Sequence, residues 1–523
     1  MKIVTAGQMR DIDRRAAASG IETDFLMENA GRAVADAIRH FIDYTAGKTV
    51  LALAGPGNNG GDALVAARWL HEWGAIVNVY LLSVRTGEDK NLSLIEELEI
   101  PVFHIEKDAK LAKLKKLVSS SGVIIDGILG TGKARSLEGS FKEILDLVNA
   151  EKKRCPALMV AAVDIPTGLN ADTGAIDPGC LQADLTITLG LPKPGLYSFP
   201  GAEKAGKLII ADIGIPAELS SGIQTELMTA DWARAILPAR PAGANKGTFG
   251  RVLAVVGSEN YTGAAYLACM GAARVGAGVV TLSTASSLQP VLASKLSEIT
   301  YAPLPETAKG TLSKKAAAAI LSILPYYRVL LMGCGIGQLP HTKSFIRGVL
   351  AGLPQKPPLL ILDADALNIV SEMDRWWDKL PAGAIVTPHA GEMSRLLKTS
   401  IEEVQGNRFE VCRRAAAEWN KIVVLKGAYT IIAEPLGRAR VCDAANAGLA
   451  SAGTGDVLAG AIAGLVGQGV PPFDAASLGV FLHAAAGELV KDELGDTGML
   501  ASDLLPVLPK VIKGLRELSL RGA

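Results

Sequence analysis

The 523-residue sequence has no net charge, because 53 basic residues balance 53 acidic ones. No basic cluster of useful length interrupts that balance, so the electrostatic footprint of a nucleic-acid-binding protein is missing. Cysteine is also sparse. Cys155, Cys180, Cys269, Cys334, Cys412 and Cys442 stand far apart, and no CxxC pair occurs. This spacing argues against a zinc site or a disulfide framework and makes a reducing compartment the default. The opening MKIVTAGQMRDIDRR lacks the apolar core of a signal peptide. Val457–Phe473, the longest late stretch without charge, is rich in glycine and runs into Pro-Pro. It reads as a buried helix and its exit, not a membrane span. The expectation is a cytoplasmic protein with no nucleic-acid or membrane partner.

What is present describes a well-packed globular chain, 49% apolar and 20% charged. Its length predicts two or three domains. In the first half, Thr5 and Gln8 fit a capping box that opens a helix to about Ser19, and a second helix spans Phe25–Phe41. Strands are predicted at Thr49–Ala54, Ile76–Leu82, Gly122–Asp126, Leu158–Val163 and Leu185–Leu189. Strand and helix patterns alternate, which argues for a mostly parallel sheet covered on both faces. Leu237–Gly247 is rich in Pro, Gly and Ala, as an entry loop or linker would be. Alternation then restarts, with strands at Gly250–Val256, Val279–Ser283, Val329–Met332, Leu359–Leu362, Ala384–Val386, Lys421–Leu425 and Tyr429–Ala433. No sequence repeat relates the halves, and the expected division is 1–225 and 226–523.

Ligands of parallel sheets collect beyond the carboxyl ends of the strands, and three loops of the first half fall there. Gly55–Asp62 (GPGNNGGD) matches GxGxxG. The next strand ends Tyr80-Leu81-Leu82-Ser83 without the acidic residue that would hold an adenosine ribose, so ordinary hydride transfer is disfavoured. Gly127–Ala134 falls one residue short of a P-loop, since Ala134 stands where a magnesium-binding hydroxyl belongs. Its amides and Lys133 suit a pyrophosphate, or form only a strand-to-helix turn. The third, Asp164–Gly168 (DIPTG), places an Asp at the end of a buried strand.

In the second half Gly453-Thr-Gly-Asp456 lies where a loop opens a helix. Glycine amides at a helix N-terminus make an anion site. From spacing alone Asp456 is either a helix cap or a base toward a hydroxyl attacking phosphorus. His389, Asp363, Asp365 and Lys426 end other strands, with structural readings open for each: a satisfied histidine, a helix cap, a surface ion pair.

Leu26–Gly31 (LMENAG), Gly57–Ala63 (GNNGGDA), Asp126–Gly132 (DGILGTG) and Asp164–Gly168 resemble the NAD(P)H-hydrate epimerase family over roughly residues 1–220. Ala63 and Thr167 depart from its usual Gly and Ser. That family interconverts the C6 epimers of hydrated NADH and NADPH beside a potassium ion, in a Rossmann-like three-layer α/β/α fold. The resemblance implies ion ligands at Asn59, Asp126 and Thr167. It implies substrate contacts at Asn58, Asn59, Gly60, Gly61, Asp62, Gly130, Thr131, Gly132, Lys133, Ala134, Arg135, Ser136 and Asp164, the last as a catalytic residue. From about 240 to 515, TPHAGEM, LDADALN, KGAYT and AGTGDVLAG together resemble the ADP-dependent NAD(P)H-hydrate dehydratases, which have a ribokinase-like α/β fold. Matching positions imply substrate contacts at Ala265, Gly337, His389 and Asp456, with Asp456 the base, and nucleotide contacts at Lys426, Gly427, Ala428, Tyr429, Thr430 and Gly455. ADP is then the co-substrate giving AMP and phosphate, magnesium accompanies the dehydratase, and a homo-oligomer is expected. Two rival classes share the motifs: a vitamin kinase using the same GTGD geometry, and a non-catalytic binding protein, against which intact Asn59, Asp126, Asp164 and Asp456 argue.

Overall fold

The computed structural model describes residues 1–43, 45–85, 89–132, 137–307 and 310–517. Two compact units result, Met1–Ile223 and Gln224–Ala523. In the first, the apolar runs become β1 (Thr49–Ala54), β2 (Ile76–Leu81), β3 (Val102–His104), β4 (Val123–Gly127), β5 (Met159–Val163), β6 (Leu185–Leu189) and β7 (Lys207–Ala211). All pair in parallel, in the order β3-β2-β1-β4-β5-β6-β7. Sequence patterning missed β3 and β7. Both are edge strands with little full burial, so neither carries the continuous apolar run of an inner parallel strand.

Alternation along β1 supplies both cores. Val50, Ala52 and Ala54 enter a cluster shared with helices Thr23–Phe41 and Asn58–Glu72. Leu51 and Leu53 point the other way, to a cluster shared with Ala112–Ser120 and Gly139–Arg154. The outcome is the expected three-layer α/β/α sandwich. Thr5 and Gln8 form the capping box, with Gln8 N–H donating to Thr5 Oγ1 at 3.2 Å and Thr5 N–H to Gln8 Oε1 at 2.9 Å.

The second unit contributes β8 (Thr225–Leu227), β9 (Arg251–Val255), β10 (Val279–Ser283), β11 (Thr300–Tyr301), β12 (Val329–Met332), β13 (Leu359–Leu362), β14 (Ile385–Val386), β15 (Ile422–Leu425), β16 (Ile431–Ala433) and β17 (Ala439–Val441). Their order is β11-β10-β9-β12-β13-β14-β15-β16-β17-β8. Pairing is parallel from β11 to β15, and β16 and β17 then add an antiparallel hairpin. β8 pairs with β17, so the chain enters the second sheet at Thr225, and a division at 225/226 would cut a strand. β16 starts later than its apolar pattern, because Tyr429 has φ +53° and its N–H bonds to the Ala444 carbonyl instead.

Helix Thr454–Gly467 is buried almost all round against Thr262–Arg274. A Cβ at Gly460 would lie 2.0 Å from the Ala268 carbonyl oxygen, and one at Gly464 2.5 Å from that of Ala272. Glycine here lets two backbones touch. Helix Pro472–Leu494 is long and apolar enough to cross a membrane, but 72% of its most apolar window is buried inside the protein, as in a core helix.

Each unit closes its own sheet and core, so a fragment ending at Ile223 should fold cooperatively by itself. Circular dichroism and a single thermal transition for residues 1–223 check this; a non-cooperative melt would contradict it.

Candidate active sites

In the first unit the strand order reverses direction beside β1, and the loops following β1 and β4 meet there. A Cβ at Gly55 would sit 1.9 Å from the Ile128 carbonyl oxygen and one at Gly60 2.1 Å from the Gly55 carbonyl, so glycine is required for the loops to touch. The GPGNNGGD run opens helix Asn58–Glu72 with no side-chain cap, leaving its first amides toward a cleft of about 1450 Å³. Asn58, Asn59, Asp62, Gly130, Thr131, Gly132 and Asp164 line that cleft. Gly60 and Gly61 lie buried beneath it, with Arg85 and Met27 respectively where their side chains would be. Lys133, Ala134, Arg135 and Ser136 lie outside the described residues.

Asp126 is fully buried at the end of β4. Its carboxylate accepts Thr167 N–H and Thr167 Oγ1–H, both at 2.7 Å, and Ile128 N–H at 3.3 Å. Burial nevertheless pushes it up to about 6, against those hydrogen bonds. The Asn59 amide nitrogen is buried without a partner among the described residues, and a Cβ at Gly130 would come within 2.9 Å of Asn59 Oδ1. Asp164 has φ +66°, and its Oδ1 accepts Leu189 N–H at 3.0 Å, Thr188 Oγ1–H at 3.1 Å and the Lys193 ammonium. Two residues that motif reading overlooked complete this corner. Lys193 is buried and donates to Asp164, Thr188 and the Leu189 carbonyl. Asp13, from the first helix, is raised by burial, with Lys193 and Asp164 also acting on it. Burial raises Asp62 well above the carboxylate range, and Asp164 adds to the effect. Neither Asp13 nor Lys193 stands in a glycine-rich motif, so only the folded chain could assemble the set.

The second site lies where β12, β13, β14 and β15 end. Asp363 is buried; its Oδ1 accepts Lys426 Nζ–H at 2.7 Å and Thr387 Oγ1–H at 2.6 Å, and Oδ2 lies 3.5 Å from Cys334 Sγ. Lys426 is thus a buried ion pair rather than a surface one. Burial opposes its charge, but Asp363 and Glu392 hold the ammonium above its ordinary range. Its Nζ lies 3.5 Å from where a Gly455 Cβ would project. Asp456, at the third position of helix Thr454–Gly467, makes no capping hydrogen bond; Gly453 in αL conformation (φ +91°) occupies the N-cap. Burial, with Asp363 as a like charge, pushes Asp456 up to about 7. The N–H groups of Gly453 and Gly455 have no partner among the described residues.

The remaining positions are mixed. His389 caps helix Ala390–Leu397 through Nδ1, accepting Gly391 N–H at 3.0 Å, while its ring stays half exposed. Gly337 (φ +76°) donates its N–H to Asp365 Oδ2 at 2.9 Å. Ala265 is fully buried against Gly257, so its methyl faces the fold's interior. In the Lys426–Thr430 loop, Gly427 (φ +140°) lies against the Arg408 guanidinium, which donates to the Leu425 and Lys426 carbonyls.

Two family models divide the chain along the same line: "YjeF-related protein N-terminus" over residues 23–195 and "NAD(P)H-hydrate dehydratase" over 252–510. The bifunctional NAD(P)H-hydrate repair enzyme Nnr of Moorella thermoacetica is 39% identical, over 99% of this chain and 98% of its own. The chain belongs to the bifunctional NAD(P)H-hydrate repair enzymes. Its counterpart in Escherichia coli is 32% identical over 97% of this chain and 93% of its own. The ADP/ATP-dependent NAD(P)H-hydrate dehydratase of Bacillus subtilis, crystallised with ATP and magnesium, is 35% identical and covers 55% of this chain and 98% of its own, with a TM-score of 0.49. The two α/β units agree with the expected architecture, an all-parallel sheet between helical layers in the first and a mostly parallel sheet extended by an antiparallel hairpin in the second.

Cys334, Asp363 and Asp456 have potential ligand atoms within 4.8 Å of one another. They do not suit magnesium. The thiol is a soft donor held protonated by burial, with Asp363 and Asp456 adding to the effect, and Lys426 already occupies Asp363.

Asp456 also has a stability signature. An unfolded Asp titrates near ~3.9, and this one near 7. Between those values the folded state holds a proton that the unfolded chain has released, so stability falls as pH rises through the window. Asp456→Asn removes that penalty. Its gain in melting temperature should be larger at pH 8 than at pH 4; equal gains would contradict the assignment.

Proposed function

We propose that the chain repairs hydrated nicotinamide cofactors in two steps, one per unit. The first unit interconverts the R and S epimers of NADH and NADPH hydrate at C6, with Asp164 as the catalytic carboxylate held by Lys193. The second unit dehydrates the S-epimer with ADP as phosphoryl donor. The observation that carries this reading is the Asp456 carboxylate: half-buried, not capping its helix, and beside a lysine and two amides that have no partner among the described residues.

The chemistry follows from those groups. Asp456 takes the C6 hydroxyl proton as that oxygen attacks the terminal phosphorus of ADP; the new O–P bond replaces the one to AMP. The Gly453 and Gly455 amides and the Lys426 ammonium stabilise charge on the transferring group. The C6–O bond then breaks toward phosphate, a better leaving group than hydroxide, and loss of the C5 proton restores NAD(P)H. Magnesium chemistry would arrive with the nucleotide, since its usual partners are substrate phosphates and waters.

A potassium-sized ion suits the first unit. Asp126 supplies the sole formal charge of the proposed set, Thr167 a hydroxyl and Asn59 an amide whose buried nitrogen has no partner among the described residues. Turning that amide over would present its oxygen instead. One carboxylate among neutral oxygens favours a weakly hydrated monovalent cation.

Asp456→Asn should lower the dehydration rate by ~10²–10⁴-fold, the worth of a general base, while epimerisation and ADP binding persist. Near-normal dehydration would return Asp456 to a structural role. Potassium should raise the melting temperature of the wild-type first unit above that in a lithium buffer. Asp126→Ala should remove the difference and weaken epimerisation, with dehydration of pure S-epimer intact. No ion dependence in the wild type would exclude the site.

A further inference from the structure

Asp363 stands outside the positions assigned to substrate or nucleotide, yet it ties together the ends of four neighbouring strands. It follows β13. On one oxygen it accepts Thr387 Oγ1–H from the end of β14 and Lys426 Nζ–H from the end of β15. Its other oxygen contacts Cys334, which follows β12, and both lie within 4.8 Å of Asp456. Such a carboxylate, almost wholly buried, carries a desolvation cost that its ion pair offsets only with good geometry and further hydrogen bonds. Lys426 has four rotatable bonds and would sample many directions if untethered. The tether leaves its ammonium against Gly455, in the first turn of helix Thr454–Gly467.

We propose that Asp363 is a positioning residue for phosphoryl transfer: it docks the Lys426 ammonium at the helix N-terminus where the nucleotide's terminal phosphate is transferred. Thr387 fixes the carboxylate so that one oxygen faces the lysine. This inference rests on the dehydratase reading of the second unit. The same carboxylate acts on the base. The charged or titratable groups facing Asp456 are Asp363, Lys426, Cys334 and Asp365, with Asp363 its largest like charge. Removing that charge must move the ionisation of Asp456 to lower pH.

The test uses the full chain with pure S-epimer, varying ADP and pH. Wild-type dehydration first establishes the reading itself; its absence would sink the dehydratase assignment, not this inference alone. Given an active wild type, Asp363→Asn should reduce kcat/KM for ADP by roughly 10- to 100-fold, the worth of a hydrogen bond to a charged group. It should also shift the acid limb of the kcat profile to lower pH. Thr387→Val keeps the charge but frees the carboxylate, so it should raise the KM for ADP severalfold and leave that limb in place. A role in stability alone would lower the melting temperature and move neither quantity. A folded Asp363→Asn with wild-type ADP kinetics and an unmoved limb overturns the proposal. If that variant fails to fold, a wild-type KM for ADP in Thr387→Val overturns it instead.

Discussion

Both units depend on one constraint of parallel sheets. Consecutive strands can be laid down on either side of a starting strand, and where the direction changes the connecting helices part and leave a crevice at the carboxyl ends. In the first unit the change occurs between β1 and β4, in the second between β9 and β12. Each crevice is floored by backbone. Gly55 and Gly60 let loops touch in the first, and Gly453 turns the chain into a helix in the second. Amides freed at the starts of Asn58–Glu72 and Thr454–Gly467 give both sites the same electrostatic character: partial positive charge suited to an anionic ligand.

The chemistry differs because different charges are buried beside those amides. Asp164 is neutralised directly by Lys193, and Asp126 by hydrogen bonds from the Thr167 residue of a neighbouring loop. Asp456 is compensated only in part, by the Lys426 charge and a Cys334 hydrogen bond. Lys426 is committed to Asp363, leaving Asp456 with a like charge nearby and an ionisation near 7. General bases work best with a pKa near the working pH, and incomplete compensation brings Asp456 into that range.

Partition of the chain follows the same economy. The shared winding of the two sheets has no counterpart in a sequence repeat, since a crevice requires strand order and glycine turns rather than particular side chains. The antiparallel hairpin β16–β17 marks the divergence of the second unit. It carries the Lys426–Thr430 loop at one end and pairs with β8 at its far edge.

Sequence by itself determined much of this. Inner strands such as Thr49–Ala54, Val279–Ser283 and Leu359–Leu362 were legible to the residue, because parallel strands buried on both faces must be apolar throughout. Edge strands β3, β7 and β8 were not, since one exposed side removes the pattern. Glycine-rich motifs announced both crevices, because only glycine tolerates the approaches seen at Gly55 and Gly60. Tertiary structure alone decided the state of each carboxylate. Spacing left Asp456 equally a cap or a base; in the fold it makes no capping bond among the described residues and has Asp363 as a neighbouring like charge. Asp13 and Lys193 stand far from any motif and reach Asp164 only because the first helix and the segment after β6 fold over it. Ionisation depends on burial and on charges brought close by the fold, and neither is a property of local sequence.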